Sequence, residues 1–297
     1  MEYQQTELRR LQLAELEILR DIDAMCKTYG ITYFLDSGTA LGAVRHNGFI
    51  PWDDDIDLGM VREDYDRFLV FAPKALGGKY EVCFPGGTPN YAAMFAKVMR
   101  KGTKFHTQET LEASFDQGIF VDVFPYDLLE ADKTLARKRI KSCRMWQSVS
   151  YLYHSRTIIT PHGGVLGALE KGACFLAHYF VRAAFSEDSI VKRYDRVSSP
   201  NGLAHGARSA AEQVSGADSA DLGNYMALAY PIGDGFPSEV LLPPSSAEFE
   251  GERFPVPHKV TDYLEIMYGS TWNVLPPESK RKNHAPLVLD FGGEPEG

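Results

Sequence analysis

Four aspartates, Asp53, Asp54, Asp55 and Asp57, lie within five residues and form the strongest chemical feature of the sequence. Two carboxylates about 4 Å apart repel by about 1 kcal/mol in water and by about 4 kcal/mol at an effective dielectric of about 20. A folded chain that keeps such groups together therefore needs a cation between them. Carboxylate oxygens without sulfur or imidazole ligands select a hard cation, so the cluster predicts a site for Mg²⁺ (or Mn²⁺).

The apolar residues between the acids indicate that the acids lie on one face of a strand. If residues 55–60 form a strand, Asp53, Asp55 and Asp57 share one face, while Ile56 and Leu58 point to the core. A solvated acidic loop, the ordinary structure of an acid run, does not need this interleaving. A calcium-binding loop fits poorly, because its sixth position requires glycine and this sequence has Leu58 there.

A second feature lies just upstream of the acids. The small residues Ser37, Gly38 and Thr39 follow the apolar run 31–35 and lead into residues 40–45, which predicts a strand, a tight turn and a short helix. Such a turn presents unpaired backbone N–H groups and the positive end of a helix dipole, where a phosphate binds well. The turn and the acids together predict a nucleotide or diphosphate substrate.

Residues 35–46 (LDSGTALGAVRH), followed by residues 51–58 (PWDDDIDL), closely resemble the LicD family of phosphocholine transferases and their relatives, which include the fukutin-related ribitol-phosphate transferases. Later segments resemble further blocks of the family; they are residues 237–243, 247–257, 262–269 and 272–284. The resemblance implies an α/β (α+β) fold with a nucleotidyltransferase-like mixed sheet core. The pattern of that fold is a Gly-Ser-type turn, an Asp-x-Asp strand and a third Asp on a later strand.

Asp122 is a lone acid in the apolar run 118–125. A buried, unpaired carboxylate is costly, so Asp122 must be paired, protonated or bound to a metal. The resemblance implies that it is the third acid of the nucleotidyltransferase pattern. We therefore predict Asp55, Asp57 and Asp122 as catalytic residues, and these three together with Asp53 as the metal ligands.

Basic residues complete the predicted site. Lys97 lies in the apolar segment 91–100, which we predict to be a strand. Composition alone leaves open whether its side chain reaches solvent or the site, and the resemblance implies a phosphate contact. Arg45 is interpreted as a bidentate phosphate clamp, with neutralisation of the acids as the alternative. Arg281 and His284 either bind phosphate or the acceptor, or cap the C-terminal fold. The predicted substrate-binding residues are Ser37, Gly38, Thr39, Arg45, Lys97, Arg281 and His284.

The composition is that of a globular protein of 297 residues with a net charge of −9, which argues against a nucleic-acid partner. Four scattered cysteines without a Cys-x-x-Cys pair are typical of reduced thiols in a cytoplasmic protein. The sequence has no signal-like N-terminal segment and no uncharged run of membrane-spanning length. These features predict a cytoplasmic protein that works in the cytosol or at the inner face of the membrane.

We divide the chain into a nucleotidyltransferase-like core with an N-terminal helix (1–130), a helical insertion (131–200), and a loop with a C-terminal segment that completes the core (201–297). Apolar residues at mostly helical spacing predict that the N-terminal helix spans residues 6–29 and is ended by Gly30. The small, polar stretch 198–223 is a candidate lid. The basic stretch 133–153 is interpreted as a solvated helix face, with a surface for anionic lipid or an anionic acceptor as the alternative. The apolar stretch 165–185 carries charges, so we expect a buried or groove-forming helix, or one that rests on a membrane.

The predicted function is metal-dependent transfer of a phospho-alcohol group from a CDP-activated donor to a hydroxyl of a glycan or glycolipid, as in lipopolysaccharide or teichoic acid decoration. One alternative is a nucleotidyltransferase that releases pyrophosphate from a nucleoside triphosphate. The other is a non-catalytic nucleotide-binding relative. Choline, ribitol, glycerol and ethanolamine all stay open as the transferred alcohol.

Overall fold

A computed structural model of the chain describes residues 3–157, 164–199, 224–281 and 283–293. It confirms the predicted mixed α/β fold. The helices are α1 (Gln5–Tyr29), α2 (Ser37–His46), α3 (Arg62–Ala75), α4 (Gln108–Ala113), α5 (Lys133–His154), α6 (Gly164–Ala184), α7 (Glu187–Ser198), α8 (Ser238–Leu241) and α9 (Val260–Tyr268), with a 3₁₀ turn at Glu278–Lys280. The strands are β1 (Phe34–Leu35), β2 (Asp57–Val61), β3 (Tyr80–Cys83), β4 (Ala96–Arg100), β5 (Lys104–His106), β6 (Phe120–Leu128), β7 (Asn224–Ala227), β8 (Phe236–Pro237), β9 (Ser245–Phe249), β10 (Glu252–Val256) and β11 (Val288–Asp290).

The central sheet is mixed and is built around β6. Its strands follow the order β1-β2-β6-β4-β3, and β7 and β8 extend it beyond the second half of β6. The pairing of β2 with β6 is parallel, whereas the other described pairings of this sheet are antiparallel. Because β7 pairs with β6, the C-terminal part of the chain returns to the core as predicted.

The two faces of β6 serve different purposes, because successive side chains of a strand point to opposite faces. Phe120, Asp122 and Phe124 line a cavity. Val121 and Val123 alternate with them and are fully buried in the core. The helices α1 and α3 pack on the sheet at β6 and its neighbours. The sheet therefore has one face covered by helices and one face that is open to a cavity.

The helix α1 follows the predicted pattern. Its apolar residues recur at three- and four-residue spacing and are buried; they include Leu8, Leu11, Leu16, Leu19 and Ile22. The helix ends at Gly30, whose left-handed backbone (φ 61°) lets its N–H donate to the carbonyl of Cys26.

Three local predictions need correction. Ser37, Gly38 and Thr39 form the first turn of α2 instead of a separate tight turn, because Asp36 caps the helix by accepting the Ser37 N–H. The acidic strand β2 begins at Asp57 and not at residue 55. The strand predicted at 91–100 is confined to β4, since regular sheet pairing begins only at Ala96.

Helices α5, α6 and α7 occupy the predicted insertion. Arg139 of α5 connects α5 to α7 and to β6 by donating hydrogen bonds to the carbonyls of Val197 and Leu128. The domain boundaries stay predictions. Of the candidate lid at 198–223, residues 200–223 lie outside the described residues. In the part of the chain that the structure describes, no helix combines the length and the apolar character needed to cross a membrane.

Candidate active site

A row of charged residues crosses the open face of the sheet. The strand register places Asp57 of β2 beside Asp122 of β6, and Asp122 beside Lys97 of β4. Residues that are opposite one another on neighbouring strands direct their side chains to the same face. The Lys97 Nζ lies 2.5 Å from Asp122 Oδ1 and 3.5 Å from the centroid of the Phe120 ring.

Of the three states that the sequence allowed for Asp122 (paired, protonated or bound to a metal), the structure shows the paired one, with Lys97 as the partner. Only about 11% of each side chain of the Lys97–Asp122 pair is exposed. Burial raises the pKa of Asp122, and the charge and hydrogen bond of Lys97 oppose that rise. The ammonium group of Lys97 thus supplies the positive charge that Asp122 needs in the absence of a metal.

The row opens into a cavity of about 820 Å³, a volume typical of small-molecule sites. One part of its wall is acidic, formed by Asp36, Asp53, Asp54, Asp55, Asp57 and Asp122. Another part is aromatic, formed by Tyr91, Phe95, Phe120, Phe124, Tyr151 and Tyr230. The helical insertion contributes Tyr151, His154 and Ser155 to this wall, none of which the sequence had indicated.

The acid run supplies two kinds of carboxylate. Asp54 is turned away from solvent, with 0% of its side chain exposed, and it accepts hydrogen bonds from the Tyr3 hydroxyl (2.9 Å) and from the backbone N–H of His284 (2.8 Å). The carboxylates of Asp53, Asp55 and Asp57 accept no hydrogen bond from the described residues, although all three line the cavity. The predicted alternation of the run is thus observed, and Asp54 serves as its anchor.

The free carboxylates fit a divalent cation. Oxygens of Asp53, Asp54 and Asp55 come within 4.8 Å of one another. Among the described residues, the carboxylates of Asp53 and Asp55 have no hydrogen-bond donor that would compete with a cation. Burial, followed by the neighbouring carboxylates, raises the pKa of Asp53 to about 8 and that of Asp55 to about 6. Burial and the charge of Asp55 raise the pKa of Asp57 well above its ordinary value. Such shifts mark negative charge that lacks a counter-ion.

Glu15 adds a further acid behind the cluster. It is a fully buried residue of α1, and neither of its carboxylate oxygens has a hydrogen-bond partner among the described residues. Burial, then the negative charges of Asp55 and Asp54, raises its pKa well above the ordinary range. A cation in the cluster would lower the free energy of keeping all these negative charges buried close together. Glu15 was not predicted, because its spacing in α1 resembles that of a core position.

The start of α2 differs from the predicted phosphate site. Ser37 and Gly38 line the cavity, but the Ser37 N–H is already used by the Asp36 carboxylate (2.7 Å) and the Tyr263 hydroxyl (3.0 Å). The Thr39 hydroxyl is buried and accepts the backbone N–H of Asp57 (2.9 Å). The Ser37 N–H is therefore already satisfied, whereas phosphate binding by Ser37, Gly38 and Thr39 stays a prediction. The structure places the Thr39 hydroxyl as a support for Asp57.

Asp36 is a site residue that the sequence analysis missed. It is buried, lines the cavity and accepts hydrogen bonds from the hydroxyls of Tyr126 and Tyr263. Burial raises its pKa, while these hydrogen bonds act in the opposite direction. An aspartate directly before a run of small residues is a helix N-cap signal that would have indicated it. Through Tyr263, it joins α9 to the start of α2.

Arg45 and Arg281 do not line the large cavity. Arg45 lies in a smaller adjoining pocket, whose wall also includes Gly38 and Asp53, and its Nη1 donates to the carbonyl of Trp272 (3.0 Å). Arg281 donates through Nε to the carbonyl of Pro276 (3.1 Å), and its guanidinium carbon lies 4.7 Å from the centroid of a Trp52 ring. Both arginines hold the C-terminal chain against the acid loop.

His284 lies at the cavity, with 76% of its side chain exposed. Its Nδ1 is 3.3 Å from Asp54, and this hydrogen bond raises the pKa of the imidazole to about 9. The structure therefore places His284 as a partner of the anchor Asp54, and any contact with substrate stays a prediction.

Comparison with known proteins agrees with this geometry. Residues 30–158 match the family model LicD/FKTN/FKRP, nucleotidyltransferase domain. Residues 30–158 therefore resemble the nucleotidyltransferase domain of that family. Over 120 residues it is 38% identical to the lipopolysaccharide cholinephosphotransferase LicD of Haemophilus influenzae, covering 40% of this chain and 44% of that protein. It is also 44% identical over 48 residues to the human ribitol 5-phosphate transferase FKRP, covering 16% of this chain and 10% of that protein.

A third relative is the mouse ribitol-5-phosphate transferase FKTN, 36% identical over 61 residues, which cover 20% of this chain and 13% of the relative. The chain thus spans less than half the length of each of these relatives. The matched segment contains the acid run, Lys97 and Asp122, whereas Tyr3, Tyr263 and His284 lie outside the matched residues. The site is therefore completed by segments on both sides of the matched domain.

Proposed function

We propose that this protein transfers a phospho-alcohol group from a CDP-activated donor to a hydroxyl of a glycan or glycolipid. The observation that carries the proposal is a set of carboxylates, Asp53, Asp55 and Asp57, that accept no hydrogen bond from the part of the chain that the structure describes. They lie beside the Asp122–Lys97 pair in the wall of a cavity of about 820 Å³. The names of the relatives, a cholinephosphotransferase and ribitol 5-phosphate transferases, support this reaction class.

Asp53, Asp55 and Asp57 would hold Mg²⁺ or Mn²⁺, since no donor among the described residues takes their carboxylate oxygens. When bound, the cation offsets the charge of the donor diphosphate and of the departing phosphate. Thr39 holds Asp57 through its backbone, and Asp54 holds Asp53 and Asp55 on the cavity side. Asp122 would be a further ligand for the cation if a donor phosphate oxygen became the partner of Lys97.

The proposed reaction is a displacement at phosphorus. The oxygen of the acceptor hydroxyl forms a bond to the phosphorus that carries the alcohol. The bond from that phosphorus to the bridging oxygen breaks, and CMP leaves with the electron pair. The hydroxyl proton passes to a carboxylate of the cluster, which acts as the general base. Lys97 stabilises negative charge on the phosphoryl oxygens.

The aromatic wall supports choline as the transferred alcohol. Phe95 and Phe124 have ring centroids 4.3 Å apart, and Tyr230 approaches Phe124 at 6.5 Å. Aromatic faces attract quaternary ammonium groups, and the Lys97 ammonium above Phe120 shows that this wall accepts a cation. Ribitol and glycerol would instead use polar side chains of the same cavity, such as Asn90, Thr107 and Gln117.

The test is to supply CDP-choline, CDP-ribitol and CDP-glycerol separately, with Mg²⁺ and a glycan acceptor, and to identify the product by mass spectrometry. We expect transfer of phosphocholine, and we expect Phe124→Leu to raise KM for CDP-choline more than for CDP-ribitol. The exposed Phe175, changed to Leu, is the matched control and should leave both values unaltered. Transfer of ribitol phosphate alone would overturn the choline assignment, and transfer from none of the donors would overturn the function.

A further inference from the structure

The outward face of α6 is apolar and exposed. Leu169, Leu176 and Phe180 are 66%, 71% and 71% exposed, and Phe175 and Tyr179 are 45% and 52% exposed. These five residues define the α6 apolar face. They recur along the helix at a spacing of three to four residues, together with exposed Gly172, Ala173 and Ala183, so they form one stripe. Large contiguous apolar surfaces of this kind mark interaction sites.

The opposite side of α6 is already occupied. His178 and Val181 are buried, and the His178 Nδ1 donates to the carbonyl of Leu152 in α5 (2.7 Å). Arg182 places its guanidinium carbon 5.5 Å from the centroid of the Tyr153 ring. The helix is thus fixed to α5, and the α6 apolar face points away from that contact.

The charge around this face selects its partner. Although the whole protein has a net charge of −9, residues 133–154 contain no acidic residue. The α5 helix exposes Arg137, Lys138, Lys141 and Arg144, and α6 adds exposed Lys171 and Arg182. Lys171 and Arg182 lie on the same helix as the apolar stripe, and the exposed basic residues of α5 lie on the helix packed against it. Such a combination of apolar and basic side chains is complementary to an anionic lipid surface, into which the stripe inserts at the level of the headgroups.

The same helices reach the proposed active site. Tyr151, His154 and Ser155, at the end of α5, line the cavity. The contacts that hold α6 involve the carbonyl of Leu152 and the ring of Tyr153. These two residues lie between Tyr151 and His154 in the sequence. The α6 apolar face is therefore one helix away from the cavity wall.

We propose that the α6 apolar face and the basic side chains of α5 dock on a bilayer that contains anionic lipid. The helix α6 lies along the surface without crossing it. Docking would bring the cavity close to a glycolipid acceptor, and this consequence rests on the function proposed above. The lipid contact itself does not depend on that function.

The experiment is co-sedimentation of the full chain with vesicles of phosphatidylcholine alone or mixed equally with phosphatidylglycerol. We expect binding to the anionic vesicles that weakens as salt is added. The double variant Leu176→Gln/Phe180→Gln should weaken binding by about tenfold or more, because two apolar side chains no longer insert. The matched control is Leu13→Gln/Val70→Gln, which changes exposed apolar residues of α1 and α3 and should bind like the parent protein.

A second pair of substitutions tests the charge. Lys138→Glu/Lys141→Glu should reduce binding to anionic vesicles by about fivefold or more for each residue changed, and should not alter the weak binding to phosphatidylcholine. Circular dichroism melting confirms that each variant is folded. CMP release with a water-soluble acceptor should be equal in all of them, which separates lipid docking from the transfer reaction.

Absence of binding by the parent protein would overturn the proposal, as would an equal loss in the control pair. If Leu176→Gln/Phe180→Gln instead converts a dimer to a monomer in sedimentation velocity, with vesicle binding unchanged, the face is an interface between two copies of the chain.

Discussion

At the scale of single residues, neighbouring aspartates differ in role because their carboxylates have different hydrogen-bond partners. Asp54 is enclosed and satisfied by Tyr3 and His284, while Asp53 and Asp55 meet the cavity with no hydrogen-bond partner among the described residues. An unneutralised carboxylate group favours a metal-loaded state, and a satisfied carboxylate favours the fold itself. We therefore expect the same amino acid to serve binding at two positions and stability at the one between them.

Substitution separates these roles. Asp55→Asn and Asp57→Asn should abolish turnover and the Mg²⁺-dependent rise in melting temperature, while the metal-free protein keeps or gains stability because repulsion is relieved. Asp54→Asn should instead lower the free energy of unfolding by about 1–3 kcal/mol, because buried hydrogen bonds are lost. Denaturant unfolding with EDTA and with Mg²⁺ measures both effects. Full activity of the parent protein in excess EDTA would contradict the metal role.

The Lys97–Asp122 pair gives a second prediction at this scale. Asp122→Asn leaves the Lys97 ammonium without its anionic partner, so we expect a loss of about 3 kcal/mol in unfolding free energy, near the lower end for buried pairs because the cavity admits some solvent. Lys97→Met/Asp122→Asn should recover most of this stability. If the single variant is as stable as the parent protein, the pair is not formed in solution.

At the scale of elements, the start of α2 and the acid loop fit closely against each other. A Cβ atom at Gly38 would lie 2.8 Å from Asp53 Oδ2, closer than real Cβ contacts. Glycine is needed here for the approach of the carboxylate and not for an unusual backbone angle. The position of one proposed metal ligand is therefore set by the absence of a side chain on the neighbouring helix.

Gly38→Ala should displace the Asp53 carboxylate and weaken Mg²⁺ binding, while the fold is retained because alanine suits a helix. We expect a clear rise in the Mg²⁺ concentration that gives half-maximal thermal stabilisation, about tenfold if one ligand is lost. Gly78→Ala is the matched control, since a Cβ there would meet nothing within 4 Å. Equal Mg²⁺ dependence in the two variants would show that Asp53 is not a ligand.

At the scale of the whole molecule, the acid cluster makes stability depend on pH. Asp53 and Asp55 have folded pKa values of about 8 and about 6, above the ordinary value of about 3.9 for an unfolded chain. The folded protein thus holds these protons more tightly. Their contribution to stability is complete below the unfolded pKa and is lost as pH rises through the folded values; His284, with a pKa of about 9, acts in the same direction at higher pH.

In EDTA, the free energy of unfolding should therefore fall by about 2 kcal/mol between about pH 5.5 and about pH 8.5, relative to the Asp53→Asn variant. Added Mg²⁺ should reverse this trend, because the ligands must be ionised to bind it. Denaturant titrations of both proteins across this range measure the difference. A difference that does not change with pH would mean that Asp53 keeps an ordinary pKa.

The sequence predicted those features that depend on neighbours along the chain. Alternation in the acid run, the end of α1 at Gly30 and the position of Asp122 in a central strand follow from local pattern. The partners of the acids could not be predicted from such patterns, because Lys97 and Asp122 are 25 residues apart, Tyr3 and Asp54 are 51 apart, and Asp36 and Tyr263 are 227 apart. Such pairs are fixed by the sheet order and by the packing of both chain ends on the core.

The measurement that tests the account most directly is the identity of the leaving group. The protein is incubated with Mg²⁺ and a glycan acceptor, and receives in turn CDP-choline, CDP-ribitol, CDP-glycerol and each of the four nucleoside triphosphates. Asp57→Asn is the inactive control. We predict release of CMP from a CDP-alcohol and no pyrophosphate from any triphosphate. Pyrophosphate release from a triphosphate, with every CDP-alcohol left intact, would contradict the proposed transfer and show that the protein is a nucleotidyltransferase.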